Sequence, residues 1–149
     1  MTVELSLATS ADLDWLTASM EAFYREVDSH FEPESARRAL AELLANPAAG
    51  RLWLVQAGEP VGYLALTFGF SLELGGRDAF IDDLYIRPEA RSQGIGTRAL
   101  ELAIEEADQL GLRALHLEVD HTNQRARQLY ARLGFRERNR YFLMCRRPD

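Results

Sequence analysis

Asp82 and Asp83 stand side by side within an otherwise apolar stretch, Ile81-Asp82-Asp83-Leu84-Tyr85-Ile86. Two acids in such a strand need a reason, because a charge withdrawn from water without a partner is costly. A carboxylate placed there could accept a proton from a reacting group. Pro88 then turns the chain into Arg91-Ser92-Gln93-Gly94-Ile95-Gly96-Thr97-Arg98, a glycine loop that opens a helix. A loop of this kind aims free backbone N–H groups and the positive end of a helix dipole at a phosphate. A phosphate cradle next to a candidate base points to a group-transfer enzyme supplied by a phosphorylated carrier.

The elements that must position these groups follow from periodicity. Val3, Leu5 and Leu7 alternate with polar neighbours and predict an opening strand. Thr9 and Asp12 form a capping-box pattern ahead of Leu13, Leu16, Met20, Phe23 and Val27 at helical spacing. A second helix is expected after Pro33, ending at Asn46-Pro47. Leu52 to Ala57 and Val61 to Phe70 read as strands joined at Gly58-Glu59, and a turn at Leu74 to Arg77 leads into a strand from Ala79 to Ile86. The middle of the chain is thus an antiparallel meander. Beyond the glycine loop a long amphipathic helix, with Gly111 just past its end, precedes a buried strand from Ala114 to Val119. That strand should lie parallel to the one carrying the acids. Asn123 to Leu133 is a shorter helix ended by Gly134, and Phe135 and Arg140 to Cys145 suggest two final strands.

Composition narrows the function further. The chain has 149 residues, enough for one domain with a substantial core, and no linker or repeat divides it. Its net charge of −6 is unevenly spread: residues 1–86 carry 5 Arg against 14 acids, and residues 87–149 carry 12 Arg against 9 acids. The basic part holds the glycine loop, as an anionic ligand requires, and the acidic part is left to attract a cationic partner. No basic stripe with interleaved aromatics points to nucleic acid. No apolar run approaches the ~20 residues of a membrane span, and the acidic start is no signal peptide. Cys145 is the only cysteine, which excludes an internal disulfide and fits a reducing, cytoplasmic setting. His30, His116 and His121 lack metal-ligand spacing, so no metal is expected.

Gly94-x-Gly96-x-x-Ala99, with Glu118 after the next strand, also imitates a dinucleotide fingerprint. Arg87 to Gln93 separate the glycines from their strand, however, and a meander rather than repeated βαβ units precedes them. The fuller pattern Arg91-x-x-Gly94-x-Gly96, after Asp82-Asp83-Leu84-Tyr85-Ile86-Arg87-Pro88, instead resembles the acyl-CoA loop of the GNAT N-acetyltransferase superfamily. Asn123-x-x-Ala126-x-x-x-Tyr130-x-x-x-Gly134-Phe135 is similar to that family's second signature.

The resemblance implies an α/β (α+β) fold in a single domain over residues 1–149. It would have a mixed central sheet of about six to seven strands with four helices, and a V-shaped splay between the fourth and fifth strands. It implies acetyl-CoA as cosubstrate. The diphosphate would sit on amides from Gln93 to Arg98, with Ser92, Gln93, Gly94, Ile95, Gly96, Thr97 and Arg98 in the loop and Arg91 to neutralise charge. Leu84, Tyr85 and Ile86 would hold the pantetheine arm through their backbone, joined by Asn123, Arg127 and Tyr130. Asp82, with Asp83 as second choice, would be the base or amine anchor, and Tyr130 the general acid toward the departing thiolate. Phe70, Glu73, Asp82 and His121 would line the acceptor side. The expected reaction is direct attack of a primary amine, through a tetrahedral intermediate, with a small cationic molecule as acceptor. A protein or peptide amine, or a non-catalytic acyl-CoA sensor, are the alternatives. Neither nucleic acid nor membrane is expected as partner, and a homodimer fits the family.

Overall fold

The computed structural model describes residues 2–148, which form two compact units, one up to Leu117 and one from Glu118 on. In the first unit, β1 (Glu4–Leu7) is followed by a 3-10 turn and α1 (Leu13–Glu26), then by α2 (Pro33–Ala45). The meander comprises β2 (Gly50–Ala57), β3 (Glu59–Ser71) and β4 (Gly76–Ile86). After the glycine loop come α3 (Ile95–Gln109) and β5 (Leu115–His116). The capping box forms as the sequence predicts: the Thr9 N–H donates to Asp12 Oδ2 at 2.8 Å, and the Thr9 hydroxyl accepts from the Ala11 N–H. Pro33 occupies the first turn of α2, where the Glu32 carboxylate accepts from the Ser35 N–H at 2.7 Å.

The strands lie in the order β1-β2-β3-β4-β5, antiparallel throughout except for the parallel β4–β5 pair. Alternation sorts the side chains onto two faces. Leu52, Leu54, Tyr63, Ala65 and Tyr85 pack with Leu16 of α1 and Leu40 of α2. The opposite face buries Leu64 and Leu66, and α3 contributes Ile95, Ala99, Leu100, Ala103 and Ala107 to the buried core.

Three expectations need correction. The sheet has five strands among the described residues, not six to seven. The fifth is shorter than Ala114 to Val119: it pairs with β4 only at Ala79↔Leu115 and Phe80↔His116, so Ile81 to Ile86 have no β5 partner. The strands expected at Phe135 and Arg140 to Cys145 are also absent from the described residues. A strand exists only where a neighbour meets its N–H and C=O groups. The terminal apolar run finds none and stays exposed at Tyr141 to Met144.

In the second unit, α4 (Gln124–Arg132) starts at Asn123, whose side chain accepts from the Ala126 N–H at 3.1 Å. It ends with Gly134 at φ 96° and a bond from the Phe135 N–H to Tyr130 O at 2.9 Å. That C-cap pins Phe135 edge-on to the Tyr130 ring, with centroids 6.1 Å apart, instead of extending it as a strand.

Candidate active site

The two adjacent acids are separated by a bulge. Ala65 pairs with Asp83 but Leu66 pairs with Ile81, so Asp82 is the extra residue on β4. Asp82 is exposed, whereas Asp83 turns toward α1 and is half-buried. Tyr63 donates its hydroxyl to Asp83 Oδ2 at 2.8 Å, and Tyr24 of α1 reaches both carboxylate oxygens at 3.2 Å.

The electrostatics follow from that cage. Burial pushes the Asp83 carboxyl up to about 6, against the pull of the Tyr63 bond; Asp82 adds to the rise, and the Tyr24 bond opposes it. Both phenols are held well above their ordinary range, first by burial and then by the Asp83 charge. They therefore act as donors to a carboxylate kept near neutrality. The linkage has a definite sign. Folding raises the Asp83 pKa from ~3.9 to about 6, so the protonated form is favoured in the fold. Stability from this group is full at low pH and lost as pH rises through about 6. Urea titrations at pH 5 and pH 8 are expected to show Asp83→Asn gaining on the wild type by roughly 1–1.5 kcal/mol over that interval.

Part of the adjoining backbone is left for a ligand, the Ile86 carbonyl being taken by Arg91. The Arg87 N–H donates to Val61 O at 2.8 Å. Antiparallel alternation then turns the peptide groups of Tyr85 toward β3 and those of Leu84 and Ile86 away from it. Tyr85 itself is buried against Phe23 and Tyr63.

In the loop, Ser92 (φ 63°) and Gly94 (φ 78°) both take left-handed conformations. The first bond of α3 runs from the Arg98 N–H to Gly94 O at 3.0 Å. Among the described residues no group accepts from the amides of residues 93–97. Alternating backbone hand with free amides at a helix start forms an anion nest. A Cβ on Gly94 would meet nothing within 4 Å, so the glycine serves the turn and the space beside it is open. These features fit the diphosphate of a CoA thioester.

Other expected residues are engaged differently. Arg91 donates to Ile86 O at 2.8 Å and grips the Glu26 carboxylate with both Nη groups at 2.5 and 2.6 Å. The hydrogen bond from Arg91 holds Glu26 below the usual carboxylate range. Arg98 faces Glu101 at 3.0 Å, on the exposed side of α3. Phe70 and Glu73 are exposed on and beside the β3–β4 turn. Within the second unit, Arg127 binds Glu137 and the His121 carbonyl, while the His121 side chain is exposed. Tyr130 is half-buried, burial raises its pKa, and its hydroxyl has no partner among the described residues.

Sequence reasoning missed Tyr24, Tyr63 and Glu26. Tyr24 sits beside the apolar stripe of α1 and Tyr63 within an apolar strand, where each reads as core. Their signal was chemical: a buried phenol seeks an acceptor, and a buried carboxylate seeks donors.

Known proteins bear on this arrangement. Residues 14–135 match the family model described as Acetyltransferase (GNAT) family. The chain is 32% identical over 123 residues to the Uncharacterized N-acetyltransferase YhfO of Bacillus subtilis, covering 83% of this chain and 80% of that one. It is 36% identical over 100 residues to the Thialysine N-epsilon-acetyltransferase of Bos taurus, covering 64% of this chain but only 52% of the relative. Among solved structures, an integron cassette protein from the mobile metagenome of Cole Harbour Salt Marsh superposes with a TM-score of 0.84 at 36% identity, over 97% of this chain and 91% of that one. No helix of the described residues is long and apolar enough to cross a membrane.

Proposed function

We propose that this chain, which belongs to the acetyltransferase (GNAT) family, moves the acetyl group of acetyl-CoA to a primary amine on a small cationic molecule, with Asp83 as the base. The observation that carries this reading is the half-buried Asp83 carboxylate, caged by Tyr24 and Tyr63 and lifted to about 6.

An ammonium has no lone pair, so it must lose a proton before it can attack. An alkylammonium (~10.4) outranks an ordinary aspartate (~3.9) by about 6.5 units. Raising the base to about 6 removes about a third of that gap, or roughly 3 kcal/mol of unfavourable transfer. Asp83 takes one ammonium proton, the freed lone pair forms the N–C bond in a tetrahedral intermediate, and its collapse breaks the C–S bond; the second nitrogen proton replaces the one that goes to the leaving sulfur. Tyr130 is assigned, by its signature, to hydrogen-bond and protonate the leaving sulfur. Exposed Asp82 supplies negative potential beside the base and is the alternative anchor for the ammonium.

Acetyl-CoA fits the nest at residues 93–97, with the Leu84 peptide and the Ile86 N–H left to bind the pantetheine arm where β5 no longer pairs with β4. In this reading that stretch is the site of the V-shaped splay. Arg91 shapes the loop through Ile86 and Glu26 rather than standing free for phosphate. The relative named for thialysine, which carries a second amine, supports a cationic acceptor.

Gly94→Ala tests the nest. A residue with a Cβ is disfavoured at φ 78° by about 1–2 kcal/mol, so the free loop relaxes and binding must restore it. The acetyl-CoA Kd measured by calorimetry is expected to rise about tenfold, with the circular dichroism unchanged. The function itself is tested by CoA thiol release across an amine panel. Release that depends on the amine, with one acetylated amine per thiol, is expected. Tight acetyl-CoA binding without turnover on any amine would overturn the reading.

A further inference from the structure

We propose that Asp78, His116 and Phe80 form a second anchoring point for the acceptor, one that holds a distal ammonium and makes the chain selective for long linear di- and polyamines; this rests on the acetyl-transfer reading above.

The register places these residues on one strip with the base. On β3, Ala65, Thr67 and Gly69 share a face by alternation, and Ala65 belongs to the core beneath α1 and α2. Their partners on β4 are Asp83, Phe80 and Asp78, and Phe80 pairs in turn with His116. Paired residues present side chains to the same side of a sheet. Asp83, Phe80, Asp78 and His116 therefore all lie on the α1-facing side. Two contacts agree: the Phe80 and His116 rings stand 4.9 Å apart, and His116 Nε2 lies 2.9 Å from Asp78 Oδ2.

The chemistry along this strip is graded. β3 contributes only small side chains, which leave room above the strand. Phe80 is 43% exposed, an apolar wall for methylene groups and a π face for a cation. Asp78 closes the far end. His116 Nε2, 2.9 Å from Oδ2, holds that carboxylate in place at the end of the strip. The other oxygen, Oδ1, accepts no hydrogen bond among the described residues. It lies over Gly69, where a Cβ would stand only 2.7 Å away. Glycine at 69 thus keeps open the one acceptor that His116 does not use.

Spacing sets the ligand. Four strand steps separate the Ala65↔Asp83 and Gly69↔Asp78 pairs, roughly 13 Å at ~3.3 Å per residue. Allowing for contact at each end, the two nitrogens stand about 10 Å apart, or about eight bonds at the ~1.2 Å per bond of an extended chain. A short diamine cannot reach both carboxylates. A long diamine or a triamine can.

The test compares kcat/KM for diaminooctane and spermidine with that for octylamine, and diaminopropane with propylamine. The wild type is expected to favour the long diamine over octylamine at least tenfold, and to show no such preference for diaminopropane. Asp78→Asn is expected to collapse the long-chain ratio toward one, mainly through KM. Gly69→Ala, which crowds Oδ1 and keeps the charge, should lower it too. A wild-type ratio near one, or an unaltered ratio in folded Asp78→Asn, overturns the second anchor while leaving acetyl transfer standing. No turnover on any amine overturns both.

Discussion

Asp83→Asn is expected to lower kcat/KM for the amine by roughly 10³-fold, within the 10²–10⁴ range of positioned acid–base groups. An amide cannot take the ammonium proton, yet it is nearly the same size and can still accept from Tyr63 or Tyr24. The loss should therefore come without loss of fold. The pH profile carries the sharper signature. Because Asp83 must be ionised to act, wild-type kcat/KM is expected to fall as pH drops through about 6, and the Asn variant should lose that limb. Asp82→Asn is expected to act more mildly, since Asp82 is exposed and is the bulged, unpaired residue of β4. A larger loss on replacing Asp82 would move the base one residue back along the strand.

Tyr130→Phe is expected to lower kcat by roughly 10²-fold with little change in acetyl-CoA affinity, at the lower end of the same range. The lower end is set by acidity. A thiol leaves with a pKa of ~8.5 and a phenol starts near ~10. Burial raises the Tyr130 phenol further, so full transfer is uphill and most of the benefit is a hydrogen bond to the growing sulfur charge. Phenylalanine keeps the edge-on contact with Phe135, so the α4 C-cap should persist. Steady-state rates at saturating acetyl-CoA measure this directly, and an unchanged kcat would remove Tyr130 from the reaction.

Much of the positioning framework was legible from local patterns. The Thr9–Asp12 box, Pro33 at the start of α2, the turn at Gly58 and the glycine opening of α3 each depend on a few neighbouring residues. What escaped was long-range. Whether Tyr141 to Cys145 becomes a strand depends on a partner elsewhere, and the run's own composition carries no information about one. The bulge at Asp82 was equally hidden, since a regular strand and a bulged one share the same letters while sending Asp83 to different surroundings. Tyr24 lies 59 residues from the carboxylate it contacts, and Tyr63 lies 20 away. Glu26 meets Arg91 across 65 residues. No local periodicity links such pairs. The loop Arg91 to Gly96 and the Asn123-to-Phe135 signature were readable because their spacing is itself local.

The central claim is that a carboxylate on β4, sunk beneath α1 and bound by two phenols, is poised near neutrality to serve an amine. Its most direct test is a carbon-13 NMR titration of the Asp83 side-chain carboxyl, assigned by its disappearance in Asp83→Asn. A midpoint near pH 6 is the expected result. A midpoint at the ordinary aspartate value, about 4, would contradict it.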